Sequence, residues 1–237
     1  MTKEELFSLI ERTKLQCNNR ILDHYCGQLI DAANMSTLSN AFLSLSRSLG
    51  NFDLNSKNKN ELITILDNDV DVSDMLSEVK EQEKNWYIDT SRQQYTREQV
   101  DTEYIPLVKP IPLLGVTGNP STWDSHRYTP TTLYEKYPNI ISWLNNFSLK
   151  YGEKIARVAL VRLKVNGEVI PHIDVGEYYR HRNRYHLCLD GAYYYHVNHE
   201  SKLIEAGTLF RFDNDMPHWA VNEGNTPRIS VIFDTEY

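Results

Sequence analysis

Residues 156–237 read ARVALVRLKVNGEVIPHIDVGEYYRHRNRYHLCLDGAYYYHVNHESKLIEAGTLFRFDNDMPHWAVNEGNTPRISVIFDTEY, with no helical spacing between the turns. ARVALVRLKV closes on Asn166-Gly167, RYHLCL closes on Asp190-Gly191, and AYYYHV answers it. Glu205-Ala206-Gly207 then precedes TLFRFDN, and Asn222-Glu223-Gly224-Asn225 precedes PRISVIFD. This succession of short strands predicts a closed or double-sheet β architecture. As a hairpin, the Asp190-Gly191 turn sets His186 opposite Tyr195 and Cys188 opposite Tyr193.

Outward from this stretch the pattern changes. Pro138 suits the first turn of a helix carrying Ile141, Leu144 and Phe147. Residues 101–130 hold Pro106, Pro110, Pro112, Pro120 and Pro130, together with Gly115 and Gly118, and read as loop or extended chain. Upstream the spacing is helical. Leu38, Phe42, Leu45 and Leu49 form one stripe before Gly50, Thr2 can cap a helix with Leu6, Leu9 and Ile10, and Ile21 to Ile30 continues the periodicity. Ser73 is a further cap, with Val72 and Leu76 at staple positions. The expectation is an α+β chain with a helical N-terminal region over 1–100 and a β domain over 101–237.

At 237 residues and 27.7 kDa the chain can bury a substantial core. Its 25 Lys and Arg against 32 Asp and Glu give a net charge of −7, which argues against a nucleic-acid partner bound by a basic coat. Three cysteines (Cys17, Cys26, Cys188) show neither a disulfide pattern nor CxxC spacing, as in a reduced, cytoplasmic protein. No stretch has membrane-spanning length.

The chemistry gathers around His172-Ile173-Asp174. In extended chain, positions i and i+2 share a face, so an imidazole and a carboxylate can converge on one ion. His218, 46 residues later, completes a set of two imidazoles and one carboxylate, the facial arrangement that leaves coordination positions open on Fe(II). Taken alone, His-x-Asp also reads as a surface dipeptide. Ten residues beyond His218, Arg228 shares a strand face with Ser230, a guanidinium and hydroxyl pair suited to one carboxylate. Arg184, His186 and Cys188 share another face. Apolar alternation puts Tyr185, Leu187 and Leu189 toward the core and leaves Arg184 and His186 exposed; the opposite assignment lines the interior with them.

The segment PHIDVGEYYRHRNRYHLCL, followed by GTLFRFDNDMPHWAVNEGNTPRISVIFD, resembles the aspartyl/asparaginyl β-hydroxylase family of Fe(II)- and 2-oxoglutarate-dependent oxygenases. The resemblance covers roughly residues 130 to 237. Its motif order is a glycine turn, Pro-His-x-Asp, Arg-x-His-Leu-x-Leu, an Phe-Asp-Asn segment before the distal His, and an Arg ten residues beyond. It implies a double-stranded β-helix (jelly-roll or cupin-like) core, with His172 and His218 as iron ligands and Arg228 as partner of the distal 2-oxoglutarate carboxylate. It also turns Arg184 and His186 inward, toward co-substrate or substrate. Animal members have Gly at the position of Asp174, whereas bacterial free-amino-acid hydroxylases such as the proline cis-4-hydroxylases keep Asp. Asp174 therefore implies a three-ligand iron site and argues against a halogenase.

The reaction implied uses Fe(II), 2-oxoglutarate and O2 to hydroxylate an unactivated C–H bond of a free amino acid or of a peptide or protein side chain. The competing class is a non-catalytic or cupin-like β-barrel that binds a metal or ligand without co-substrate; it gives no reason for an inward Arg228 and Ser230. The helical region offers a surface for a homodimer. Asp67, Asp69, Asp71 and Glu78 mimic a calcium-loop pattern, but Val72 stands where that loop requires Gly, so they read as a solvated acidic turn. Arg180 and Arg182 are candidates for the mouth of the site, with an anionic substrate group as their counterpart, and Trp123, Trp219 and Tyr178 are candidate pocket walls.

Overall fold

The computed structural model describes residues 61–90, 99–114, 120–174, 178–179 and 182–236. The helices expected between Thr2 and Gly50 lie outside the described residues. In chain order the elements are β1 (Ile63–Asp67), α1 (Ser73–Glu81), a 3-10 turn (Glu83–Tyr87), β2 (Thr102–Leu114), β3 (Pro120–Pro130), a 3-10 turn (Tyr134–Lys136) and α2 (Pro138–Tyr151). There follow β4 (Lys154–Leu163), β5 (Glu168–His172), β6 (Arg182–Asp190), β7 (Ala192–Val197), β8 (Glu200–Glu205), β9 (Leu209–Phe212), β10 (His218–Val221) and β11 (Arg228–Glu236).

The strands form two antiparallel sheets, one ordered β1-β9-β6-β11-β4-β2-β3 and the other β5-β10-β7-β8. From β4 to β11 the chain passes repeatedly between the sheets, and only β7 and β8 are successive partners. This is the winding of a double-stranded β-helix. The turns at Asn166-Gly167 and Asp190-Gly191, expected as hairpins, are corners between sheets. Both ladder edges of β6 are occupied by β11 and β9, so β7 has no edge of β6 to join. Gly191 makes the corner at φ 81°, where an added Cβ would lie 3.0 Å from the Pro227 carbonyl oxygen. His186 and Tyr195 still face each other, with ring centroids 5.1 Å apart, but across the space between the sheets.

The outer face of the seven-stranded sheet carries Tyr185, Leu187, Leu189, Val231 and Phe233, which pack against Met75 and Val79 of α1 and Ile140, Leu144 and Phe147 of α2. A second core between the sheets holds Cys188, Tyr193, Tyr195, Phe210 and Phe212. β6 is therefore buried on both faces, which is why its apolar alternation does not identify the barrel interior. Among the described residues of 1–100, β1 pairs with β9 and α1 joins the outer core, so this segment is part of the β unit rather than a separate helical region.

α2 begins on Pro138, as the sequence predicts, and ends at Gly152 in the left-handed region, φ 69°. Ser73 is the first residue of α1 rather than its cap, and its N–H and Oγ–H both donate to Asp71 Oδ1. Prolines enter β2 beside register shifts near Pro106 and Pro110, where a ladder hydrogen bond is already missing.

Candidate active site

β5 ends on His172 and β10 begins on His218, and the two residues are direct cross-strand partners. Their rings lie on the inner face with centroids 4.4 Å apart. Each Nδ1 is 2.9 Å from the backbone carbonyl two residues earlier, Ile170 for His172 and Met216 for His218. A carbonyl only accepts, so each Nδ1 carries the hydrogen, which leaves Nε2 as the nitrogen of each ring available to a ligand. Burial, reinforced by the neighbouring His172, pushes His218 down to about 3 and keeps its imidazole neutral.

Asp174, two residues beyond β5, brings its carboxylate to the same point. The donor atoms of His172, Asp174 and His218 lie within 4.8 Å of one another, and His218 Nε2 is 3.7 Å from Asp174 Oδ2. Two imidazole nitrogens and one carboxylate on one side suit ferrous iron with its remaining positions open.

From the triad the inner surface continues as a series of rings. Phe212 lies 4.7 Å from His218, Tyr195 stacks at 6.3 Å, and His186 touches Tyr195, Phe210 and Phe212 at 5.0–5.4 Å. Tyr193 follows at 6.3 Å from Tyr195, and the Arg228 guanidinium lies 4.4 Å from its ring centre. Arg228 is only 1% exposed, and Ser230 is fully buried. Arg228 Nε and Nη1, Ser230 Oγ and Tyr193 Oη have no hydrogen-bond partner among the described residues. A buried guanidinium left without an anion costs several kcal/mol, so this cluster is built for an anionic group. Burial raises the Tyr193 phenol far above its ordinary range, leaving it a protonated donor. Burial also pushes Cys188 up to about 12, a neutral thiol rather than a nucleophile.

Arg184 and His186 both point inward. Arg184, however, is engaged: Nη1 bonds Asp174 Oδ2, while Nε and Nη2 hold Asp234 at 2.7 and 3.1 Å. Asp234 was legible by parity, since residues 228, 230, 232 and 234 share a strand face and Asp234 is the registered partner of Arg184. Arg182 is also spoken for, bonding Glu236 at 3.0 Å as well as Tyr128 and the Tyr178 carbonyl. Tyr178 bonds Asp234 at 2.9 Å and lines the site. Trp219 does not; it stacks on His196 at 4.7 Å, one position out of phase with the inward His218. Arg180 and the Trp123 side chain lie outside the described residues.

Glu78, the last member of the calcium-like pattern, is buried and accepts the N–H groups of Asn139 and Ile140 at 3.0 and 3.2 Å. It caps α2 instead of facing a cation. No helix among the described residues is long and apolar enough to cross a membrane.

Comparison with solved structures finds partial likenesses. An oxidoreductase of the 2OG-Fe(II) oxygenase family from Burkholderia pseudomallei is 12% identical, with 57% of this chain and 67% of that one covered at a TM-score of 0.42. A predicted oxalate decarboxylase from Thermotoga maritima is 20% identical over 38% of this chain and 73% of that one, TM-score 0.31. A protein with a double-stranded β-helix domain from Klebsiella pneumoniae is 21% identical over 34% and 66%, TM-score 0.30. No curated protein matches the sequence. Residues 69–237 match the aspartyl/asparaginyl β-hydroxylase family, which takes in β1's successor segments, both described helices and every residue of the site: the chain belongs to that family.

Proposed function

We propose that this chain is an Fe(II)- and 2-oxoglutarate-dependent dioxygenase that hydroxylates an unactivated C–H bond of an amino acid or of a peptide or protein side chain. The observation that carries the reading is a buried guanidinium without an anion among the described residues, Arg228, in the same hollow as a two-histidine, one-carboxylate donor set. A barrel that bound only a metal would gain nothing from Arg228 and would bear the cost of burying it.

In this reading His172, Asp174 and His218 hold the iron, and Arg228 with Ser230 and Tyr193 receives the distal carboxylate of 2-oxoglutarate through charge-assisted hydrogen bonds. When bound, iron with 2-oxoglutarate and O2 supplies the oxidising chemistry that inserts oxygen into a C–H bond. The carbonyls of Ile170 and Met216 fix both imidazoles in the tautomer that presents Nε2. Arg184 acts as a positioning residue, pairing with the Asp174 carboxylate on the side of the histidines. Phe210, Phe212 and Tyr195 exclude water from the space between the two binding groups.

Succinate release on adding Fe(II), ascorbate and 2-oxoglutarate tests the activity. His172→Ala is expected to abolish iron binding measured by equilibrium dialysis. Arg228→Ala is expected to retain iron and to raise the required 2-oxoglutarate at least about 30-fold, the effect of removing one partner of a buried charge pair. Equal loss of iron in both variants would contradict the separate roles, and wild-type protein that neither binds 2-oxoglutarate nor releases succinate would end the reading.

A further inference from the structure

Three arginines meet where Tyr178 and Tyr179 pack against the inner face of the seven-stranded sheet. Two have carboxylate partners: Arg182 with Glu236, and Arg184 with Asp234 and Asp174. Arg157 has none among the described residues. Its guanidinium lies 3.4 Å from the centre of the Tyr178 ring, and Nη1 donates to Tyr179 Oη at 3.2 Å. Nε is buried without a hydrogen-bond partner among the described residues.

The placement follows from the strands. Leu163 and Arg157 stand an even number of positions apart on β4, so Arg157 shares the inner face on which Leu163 packs. A register shift sets Ala156 and Arg157 together opposite Asp234, and bulges of this kind re-aim side chains beside binding sites. Arg184, Asp234 and Arg157 thus occupy one row across β6, β11 and β4. Arg157 touches Tyr179, Tyr179 lies 4.8 Å from the Arg184 guanidinium, and Arg184 holds Asp174. The arginine is two neighbours removed from the metal-binding carboxylate.

The way it is held decides what it can bind. Tyr178 covers one face of the guanidinium plane, and Tyr179 takes Nη1. Nε and Nη2 remain, and these two parallel N–H groups form the side-on fork that matches the two oxygens of a carboxylate. A guanidinium already locked by two tyrosines loses little further freedom on binding.

We propose that Arg157 is the substrate anchor of this site and that the substrate carries a carboxylate, received on the Nε–Nη2 edge while the C–H to be oxidised faces the triad. The proposal rests on the oxygenase reading and narrows its substrate class. The carboxylate has two sources, the α-carboxylate of a free amino acid or the side chain of an acidic peptide.

The test is calorimetric titration of the full chain, loaded with redox-inert Zn(II) and 2-oxoglutarate, with three sets of probes. These are free amino acids, their α-carboxamides, and end-capped dipeptides with and without Asp or Glu. At least one carboxylate probe is expected to bind, and its amide counterpart at least tenfold more weakly. Arg157→Gln should weaken the acid roughly 10- to 100-fold, as for loss of a hydrogen-bonded charge, with little effect on the amide. Arg157→Lys should recover part of the loss, and Tyr179→Phe should weaken the acid less than Arg157→Gln. Binding of a free amino acid assigns the α-carboxylate; binding of acidic dipeptides alone assigns the side chain.

Equal binding of acid and amide, unchanged binding in Arg157→Gln, or no binding of any carboxylate probe overturns the proposal. Succinate release by the wild type, measured separately with iron, separates the two failures. Its absence sinks the oxygenase reading, whereas succinate release without acid–amide discrimination sinks only the anchor.

Discussion

Glu236 gathers three donors from three strands. Tyr128 Oη and Arg182 Nη2 reach Oε1 at 2.7 and 3.0 Å, and Lys154 Nζ reaches Oε2 at 3.0 Å. Burial works against ionisation, yet these donors hold the carboxyl down at about 2, below the ordinary glutamate value of 4.5. Because the folded value is the lower one, the stabilisation is complete above about 4.5 and is lost as pH falls from there through about 2. Glu236→Gln is therefore expected to lower stability by about 1 kcal/mol at pH 7, the scale of a partly exposed network. The gap to wild type in urea unfolding should close toward pH 2; a gap constant with pH would assign Glu236 a packing role only. The same single-residue logic explains Arg184. It is shared between Asp174 and Asp234, which leaves Arg157 as the arginine of the trio without a carboxylate partner among the described residues.

At the scale of elements, α2 lacks a capping side chain of its own. Tyr137 occupies the cap position without a side-chain hydrogen bond, and Pro138 removes only one of the orphan N–H groups at the helix start. α1 supplies what is missing. Its Glu78 is buried and accepts two of those N–H groups, and burial raises its pKa despite their bonds. This contact locks the two helices side by side over the outer face of the seven-stranded sheet, where Phe147 packs 5.0 Å from Tyr185 and 4.9 Å from Phe233. Glu78→Ala is expected to cost about 2 kcal/mol, combining a lost cap with donors left buried. Glu78→Gln, which still accepts one bond, should lose about half as much in the same denaturant titration. A loss under 0.5 kcal/mol in the alanine variant would mean that packing alone holds the pair.

For the whole molecule, a metal held by this donor set would link distant parts of the chain. His172 and His218 lie 46 residues apart and meet only when β5 and β10 pair, and Asp174 ties that sheet to the other through Arg184. The unfolded chain cannot reproduce the set, so a metal that binds it stabilises the fold by mass action. Anaerobic Fe(II) at about 100 times its Kd should add roughly 2.7 kcal/mol, a rise in Tm of about 5–10 °C for a domain of this size. His172→Ala should show no such rise in differential scanning calorimetry. An undiminished rise in that variant would place the metal elsewhere.

Much of this was written locally. Pro138 and Gly152 bracket α2 because caps depend on adjacent residues, and the shared face of Arg228 and Ser230 follows from the two-residue repeat of a strand. The nature of the turns was not local: Asn166-Gly167 and Asp190-Gly191 satisfy the same backbone demands whether the chain returns along one sheet or crosses to another. Which happens depends on edges already occupied, and β6 has none free. Burial on both faces of β6 likewise erased the polarity signal that would have turned Arg184 and His186 inward. The amino-acid order thus determined which residues share a strand face and which donor types they bring, both set by neighbours a few bonds away. Tertiary structure alone decided which arginines meet a carboxylate among the described residues and which do not, because that follows from cross-strand register between residues remote in the chain.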